Sequence, residues 1–275
     1  MLPDAERTFR EALRLARAIA DDRHVCASLA FYAYSACLRG DLPAAERHFL
    51  EANAVEKRIG TKSYDLYSTR GIQWAEYLLR TGNEEKSRKL TTTNLEICRE
   101  YAWRDNLARC QWMLGWLDVL AGDYRAAHAH LQEAKATFTA GDMIQELART
   151  FVAESACYLA EHNYDSALAS CERALDLAAP RNYRLIHADA LNLRARIVLE
   201  QPDFDPNAAR DDAEASLQLA EPCEYAWAQR DACEILPRAY RALGNQQESL
   251  KYSNQHEDWS RRLTLPATVS PQTPN

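Results

Sequence analysis

Apolar residues nowhere run on in this sequence for the roughly 20 positions that a helix needs to cross a bilayer, so no membrane span is expected. The first residues, MLPDAERTFREAL, are charged and amphipathic from the outset, which excludes a secretory signal. Glycine is scarce, eight among 275 residues, as suits long helices joined by short turns. Basic charge is not in excess either: the net charge is −7 and the pI about 5.6. Nucleic-acid binding draws most of its affinity from lysine and arginine contacts to phosphate, so that class of partner is excluded. The basic residues that do occur are interleaved with Asp and Glu, the pattern of solvated helix faces.

Also missing are the spacings that carry chemistry. The eight cysteines contain no C-x-x-C, and the closest two, Cys223 and Cys233, are ten apart. Set among Ala, Leu and Tyr, they read as small buried hydrophobes in a reduced, cytoplasmic protein. No metalloprotease, phosphate-loop or nucleophile-elbow motif occurs. His128 and His130 are two apart, about 200° around a helix, and cannot share a metal. Cys157 and Cys171 fall on the two helices of one unit, where both serve as core fillers whose apolar burial quiets the thiol. Acidic pairs such as Asp211-Asp212 complement a helix dipole. The expectation is a non-enzyme with no metal and no cofactor.

What the sequence does have is a repeat. Six segments share one character: Gly40-Asp41-Leu42, Gly82-Asn83-Glu84, Gly122-Asp123-Tyr124, His162-Asn163-Tyr164, Pro202-Asp203-Phe204 and Gly244-Asn245-Gln246. Their central Asp or Asn recurs at intervals of 42, 40, 40, 40 and 42. Glycine ends a helix in the left-handed conformation, and Asp or Asn caps the next helix by accepting its first free N–H groups. Each segment is thus a stop joined to a start. Gly60 and Gly141 mark the other turn, between units. Small residues follow four positions after the Asp or Asn (Ala45, Ser87, Ala127, Ala167, Ser249) and eleven after it (Ala52, Ala134, Ala174), letting two helices approach closely.

Leu114-Gly115 in a first helix (A), Gly122-Asp123-Tyr124 at the turn, then Ala127, Leu131 and Ala134 in a second helix (B) resemble the tetratricopeptide signature. The fourth unit resembles it too, through Tyr158, Asn163-Tyr164, Ala167, Ala174 and Pro180. The period of 40 to 42 exceeds the usual 34, so the helices or loops are longer. Such long-period arrays look like the C-terminal arms of bacterial signal-transduction NTPases and of large transcriptional activators, as do Leu66–Gly71 and Trp74–Leu79. The resemblance implies an all-α, right-handed α-α superhelix over residues 1–263. One lone helix at about 3–20 precedes six pairs, at about 22–59, 64–101, 105–139, 143–178, 183–221 and 224–263. Asp205-Pro206 reads as an insertion after the fifth turn, and Pro237 is expected to kink or break its helix. Residues 264–275, with three prolines, read as a disordered tail. Leu2–Ala12 and Leu42–Ala52 match at eight of eleven positions, so the chain opens on a helix B whose partner is missing. That points to a module cut from a larger multidomain protein.

The resemblance further implies that A helices line a concave surface. Candidate partner-binding residues on that face are Tyr34, Glu76, Arg109, Trp112, Trp116, Asn192, Arg196 and Arg238, with Glu234 and Arg241 beside them. Trp, Tyr and Arg dominate binding hot spots, although Trp112 and Trp116 also suit a filling between helices. The positions by which some family members clamp a C-terminal carboxylate hold Ala30, Tyr34, Ile72 and Glu76, so chaperone tails are not expected ligands. The function implied is a scaffold or sensor arm that binds a protein or peptide in the concave groove. The alternative is a receptor for a small ligand or short peptide, and its mark would be a closed, aromatic-lined pocket.

Overall fold

A computed structural model describes residues 1–60 and 64–264. The expected disordered tail, from residue 265 on, lies outside the described residues. These contain no strand and thirteen helices: α1 (Leu2–Ala18), α2 (Asp22–Leu38), α3 (Leu42–Ile59), α4 (Ser68–Arg80), α5 (Glu84–Glu100), α6 (Arg104–Ala121), α7 (Tyr124–Ala140), α8 (Ile144–Ala160), α9 (Tyr164–Ala178), α10 (Arg184–Glu200), α11 (Pro206–Ala220), α12 (Ala226–Ala242) and α13 (Gln246–Arg262). A lone α1 and six pairs make an all-α superhelical solenoid. Even-numbered helices are A and odd-numbered ones B.

The turns follow their chemistry. Gly40, Gly82, Gly122 and Gly244 all take the left-handed conformation, with φ between 75° and 82°. Asp41, Asn83, Asp123, Asn163 and Asn245 then accept an N–H three residues on, at 3.0–3.4 Å. Two details differ from expectation. The fifth cap is Asp205 rather than Asp203, because Pro206 pre-sets the first helical φ and moves the start two residues on. At the other turns the left-handed residue is not a glycine: Gly141 has φ −93°, and Asp142 beside it takes φ 51°.

Small residues bring A and B together as the spacing requires. Ala45, Ala127 and Ala167 are fully buried. Where serine stands instead, its hydroxyl finds a helix-A carbonyl: Ser87 donates to Ala75 O (2.8 Å) and Ser249 to Pro237 O (2.9 Å). A Cβ on Gly115 would sit 2.6 Å from Leu131, which is how closely α6 meets α7. Pro237 does not break its helix; α12 runs through it to Ala242. Helix α4 starts at Ser68, later than expected. Asn53 and Asn94 hold the preceding segment non-helical by bonding Asp65, Leu66 N–H and both backbone groups of Ser68.

The array does not stay open. One buried cluster joins α1–α3 to Ala188, Ala220, Tyr225, Ala226 and Trp227, from the other end of the chain. The Trp227 indole N–H donates to Cys37 O at 2.8 Å, across 190 residues of sequence. Arg39, in the α2–α3 turn, bonds both Glu6 and Glu224. The first and last units therefore meet, and the superhelix closes into a ring with the A helices inside.

Gly40 sits on this seam. A Cβ there would lie 2.9 Å from Leu263 Cδ2 and 3.0 Å from Ala226 Cβ, whereas one on Gly122 would meet nothing. Gly122→Ala should cost about 1–2 kcal/mol, the penalty for a left-handed residue with a side chain. Gly40→Ala should cost clearly more in urea unfolding. Equal costs would mean that the seam contributes nothing.

Candidate functional site

The A helices turn one face inward. Counted back from the turn Asp or Asn, Tyr34, Glu76, Trp116, Arg196 and Arg238 all stand at the seventh position. One helical turn further back stand Trp112 and Val152, and about one more Arg149, Asp189 and Asp231; one turn nearer the cap stands Arg80. This face lines two adjoining cavities of about 430 and 250 Å³, which share Glu76, Arg80, Arg149 and Asp189. A wider depression of about 630 Å³ lies outside the ring, along the seam between Gly40 and Trp259.

Glu76 is the hub. Its carboxylate, buried, accepts from Tyr34 OH (2.8 Å), Arg149 Nη2 (2.8 Å) and Arg80 Nη2 (3.0 Å). Arg80 reaches on to Tyr225 OH (3.4 Å), which donates to Asp189 Oδ2 (3.0 Å). The chain of contacts thus spans α2, α4, α8 and α10 and ends at the N-cap of α12. Aromatic faces back the guanidinium groups: Arg149 lies 4.1 Å from the Trp112 ring centre, while Arg80 and Arg230 lie 5.1 and 5.0 Å from that of Trp227. Such stacking suits Arg because its planar cation is weakly hydrated.

Two carboxyls in one cavity are pushed apart. Burial would raise Glu76, but Arg149, Arg80 and the Tyr34 hydroxyl overcome it and hold the group at about 2. Asp189 has a thinner escort: the Tyr225 hydroxyl donates to it, but Arg80 and Arg149 act on it without an ion pair. Burial, reinforced by Asp231, pushes it up to about 7 against the pull of Arg80. Its accessible surface gives onto the cavities. The lining of the larger cavity carries four arginines, of which Arg80 and Arg149 pair with Glu76, Arg230 with Asp231 and Arg196 with Glu234 at the rim, so the wall is rich in guanidinium groups with their charge largely balanced.

The sequence-selected residues divide. Tyr34, Glu76 and Arg109 line the smaller cavity; Glu76, Trp112, Trp116 and Arg196 line the larger. Trp112 plays both suggested parts, since it is buried in a core cluster, donates to Arg149 O (3.3 Å) and still forms cavity wall. Trp116 is half-buried and reachable. Asn192 is not on the wall; it is buried between α10 and α12, donating to Ala228 O. Arg238 lies away from the cavity, bonded to Glu200 and stacked on Phe204, and Glu234 is spent on Arg196. Sequence reasoning missed Arg80, Arg149, Asp189, Tyr225, Trp227, Arg230 and Asp231. For most of these the signal was available, because they share the selected face one turn to either side.

The family model for the tetratricopeptide repeat matches residues 66–140. No curated protein matches the sequence. Among solved structures, a Rap protein complexed with competence and sporulation factor is 15% identical, with TM-score 0.68 over 94% of this chain and 69% of that one. The apo form of RapI is 14% identical, with TM-score 0.62 over 96% and 93%. A signal-transduction ATPase with numerous domains and a tetratricopeptide repeat sensor, from Pyrococcus horikoshii, is 17% identical, with TM-score 0.56 over 90% of this chain and 38% of its own. These likenesses define the fold as a tetratricopeptide-like helical-repeat array. The sequence match to the repeat spans residues 66–140, and the same helix-pair geometry continues on both sides of it.

Removing the hub leaves two half-buried guanidinium groups without their carboxylate, so Glu76→Ala should lose stability by about 2–4 kcal/mol, below the full penalty for a fully buried pair because both arginines keep some contact with solvent. Asp189 titrates in the opposite sense. Its folded value is raised, so its contribution is complete below about pH 4 and is lost as pH rises through about 7. Urea unfolding at pH 5 and pH 8 should show a smaller fall for Asp189→Asn than for the wild type. Parallel falls would contradict the assignment.

Proposed function

We propose that this chain is a receptor module that takes a short peptide into the centre of its ring, binding a carboxylate beside an aromatic or apolar group. One observation carries the reading: the A helices, with the first and last units joined at the seam, form a half-open cavity lined by tryptophan and arginine rather than a flat concave face. Its volume of about 430 Å³ falls within the roughly 300–1,000 Å³ of small-ligand pockets. Trp116 and Trp227 offer flat apolar walls, and Arg196 and Arg230 lie at the same cavity. The likeness to a Rap protein complexed with a factor and to a repeat sensor of a signalling ATPase supports the same use of the fold. On this reading the chain is a sensor arm of a larger bacterial signalling protein, working in the cytoplasm.

An enzyme is the weaker reading, although titratable groups do converge. Glu76 is saturated by two arginines and a tyrosine, and the hydroxyls that line the smaller cavity, Tyr34, Tyr225 and Thr69, are bonded to Glu76, Asp189 and Asn106 rather than to a general base poised to activate them.

The test is thermal stabilisation of the full chain by short peptides with an aromatic C-terminal residue, each with free and with amidated ends. Ligand that binds only the folded state raises its melting temperature with concentration. Stabilisation by the free-acid series is expected, with Trp116→Ala and Arg230→Ala each weakening it about tenfold or more while helicity holds. Trp112→Ala is unsuitable, because a buried Trp lost from the core should itself cost about 3–5 kcal/mol. No stabilisation by any peptide, or undiminished binding by both variants, would refute the reading.

A further inference from the structure

Away from the ring's interior, three side chains converge at the junction of the third and fourth repeats. Cys157 stands in the last turn of α8 and Glu161 at its C-cap, four residues on, and His128 faces them from α7. His128 Nε2 lies 2.7 Å from Glu161 Oε2 and 3.6 Å from Cys157 Sγ, and all three donor atoms fall within 4.8 Å of one another. We propose that His128, Cys157 and Glu161 form a binding site for a zinc-type divalent cation, with the fourth position open to solvent.

The donor set is the first argument. Thiolate, imidazole and carboxylate together are a zinc-type combination, and three protein ligands plus one water make an open tetrahedral site. The distances are the second. Ligands at about 2.3 Å (sulfur) and 2.0–2.1 Å (nitrogen) subtend roughly 3.5–3.6 Å at a tetrahedral centre, which is the sulfur–nitrogen separation found here. The Glu161 oxygen must draw back by roughly half an ångström from the nitrogen to reach about 3.3 Å on the same arithmetic. It is free to do so, since its side chain is one-third exposed. Burial is the third argument. Cys157 is fully enclosed, whereas His128 and Glu161 each keep about a third of their surface in solvent, so the sulfur forms the floor and the open position faces water. The Tyr158 ring packs on the imidazole at 4.7 Å and fixes its plane.

Charge closes the case. A thiolate and a carboxylate bring two negative charges to a neutral imidazole, which a divalent cation cancels. A thiol ligates as the thiolate, so binding releases its proton to solvent and affinity falls as pH falls. A bound ion would tie α7 to α8 and stiffen the joint between two repeats without touching the central cavity.

The experiment titrates the full chain, reduced and stripped by chelator, with Co²⁺. One equivalent should produce the near-ultraviolet thiolate-to-cobalt charge-transfer band, and Zn²⁺ should abolish it by displacement. Cys157→Ser should lose the band. His128→Ala, at a part-exposed position, should weaken Co²⁺ binding at least about tenfold, and Cys171→Ser should leave both unchanged. Absence of the band in the wild type, or its persistence in Cys157→Ser, overturns the site. Should Cys157→Ser fail to fold, His128→Ala decides alone: undiminished binding overturns the proposal.

Discussion

The Glu76 carboxylate is where the ring is pinned. Two arginines from different repeats and a tyrosine from a third converge on it. Such a cluster is held only while every member is satisfied, because one charge left alone in the interior costs more than the pair contributes. Here the satisfaction is nearly complete, and it extends through Tyr225 to Asp189. A repeat array is normally stabilised by neighbours alone. This one adds a polar contact that reports on five repeats at once.

That hub explains why closure produces a cavity rather than a filled core. Guanidinium groups backed by Trp112 and Trp227 stand between the A helices and keep them from collapsing together. The seam supplies the complementary constraint on the outside, through Trp227 on the Cys37 carbonyl and Arg39 between Glu6 and Glu224. Trp227 serves both, with its N–H in the seam and its ring against Arg80. Anything that alters the cavity contents is therefore mechanically connected to the joint between first and last units.

The two carboxyls of the cavity show how one environment assigns opposite roles. Glu76 and Asp189 are both withdrawn from bulk water, yet escort by cations holds one ionised and a thinner escort leaves the other poised near neutrality. Arg80 reaches Glu76 from one turn along the same helix, whereas Arg149 is brought to it only by the placement of α8 against α4.

Much of the molecule was legible residue by residue. Caps such as Asp41 and Asn83, the left-handed turn glycines and the small residues at Ala45 or Ser87 act within a few positions of themselves, so the chain alone fixes them. The inward face was legible for the same reason, since helical periodicity placed Tyr34, Glu76, Trp116 and Arg196 in one register. Neighbours one turn along, such as Asp189 and Arg149, obeyed the same rule unread. Asn192 and Arg238 shared that register and still fell elsewhere, one between helices and one beyond the cavity. The reason is that register fixes a direction from a helix axis, while what lies in that direction depends on the next helix. Closure belongs wholly to tertiary structure: small rotations between repeats accumulate over six units before Trp227 meets Cys37, 190 residues away. No local spacing encodes that sum, nor the meeting of His128 with Cys157 across two repeats.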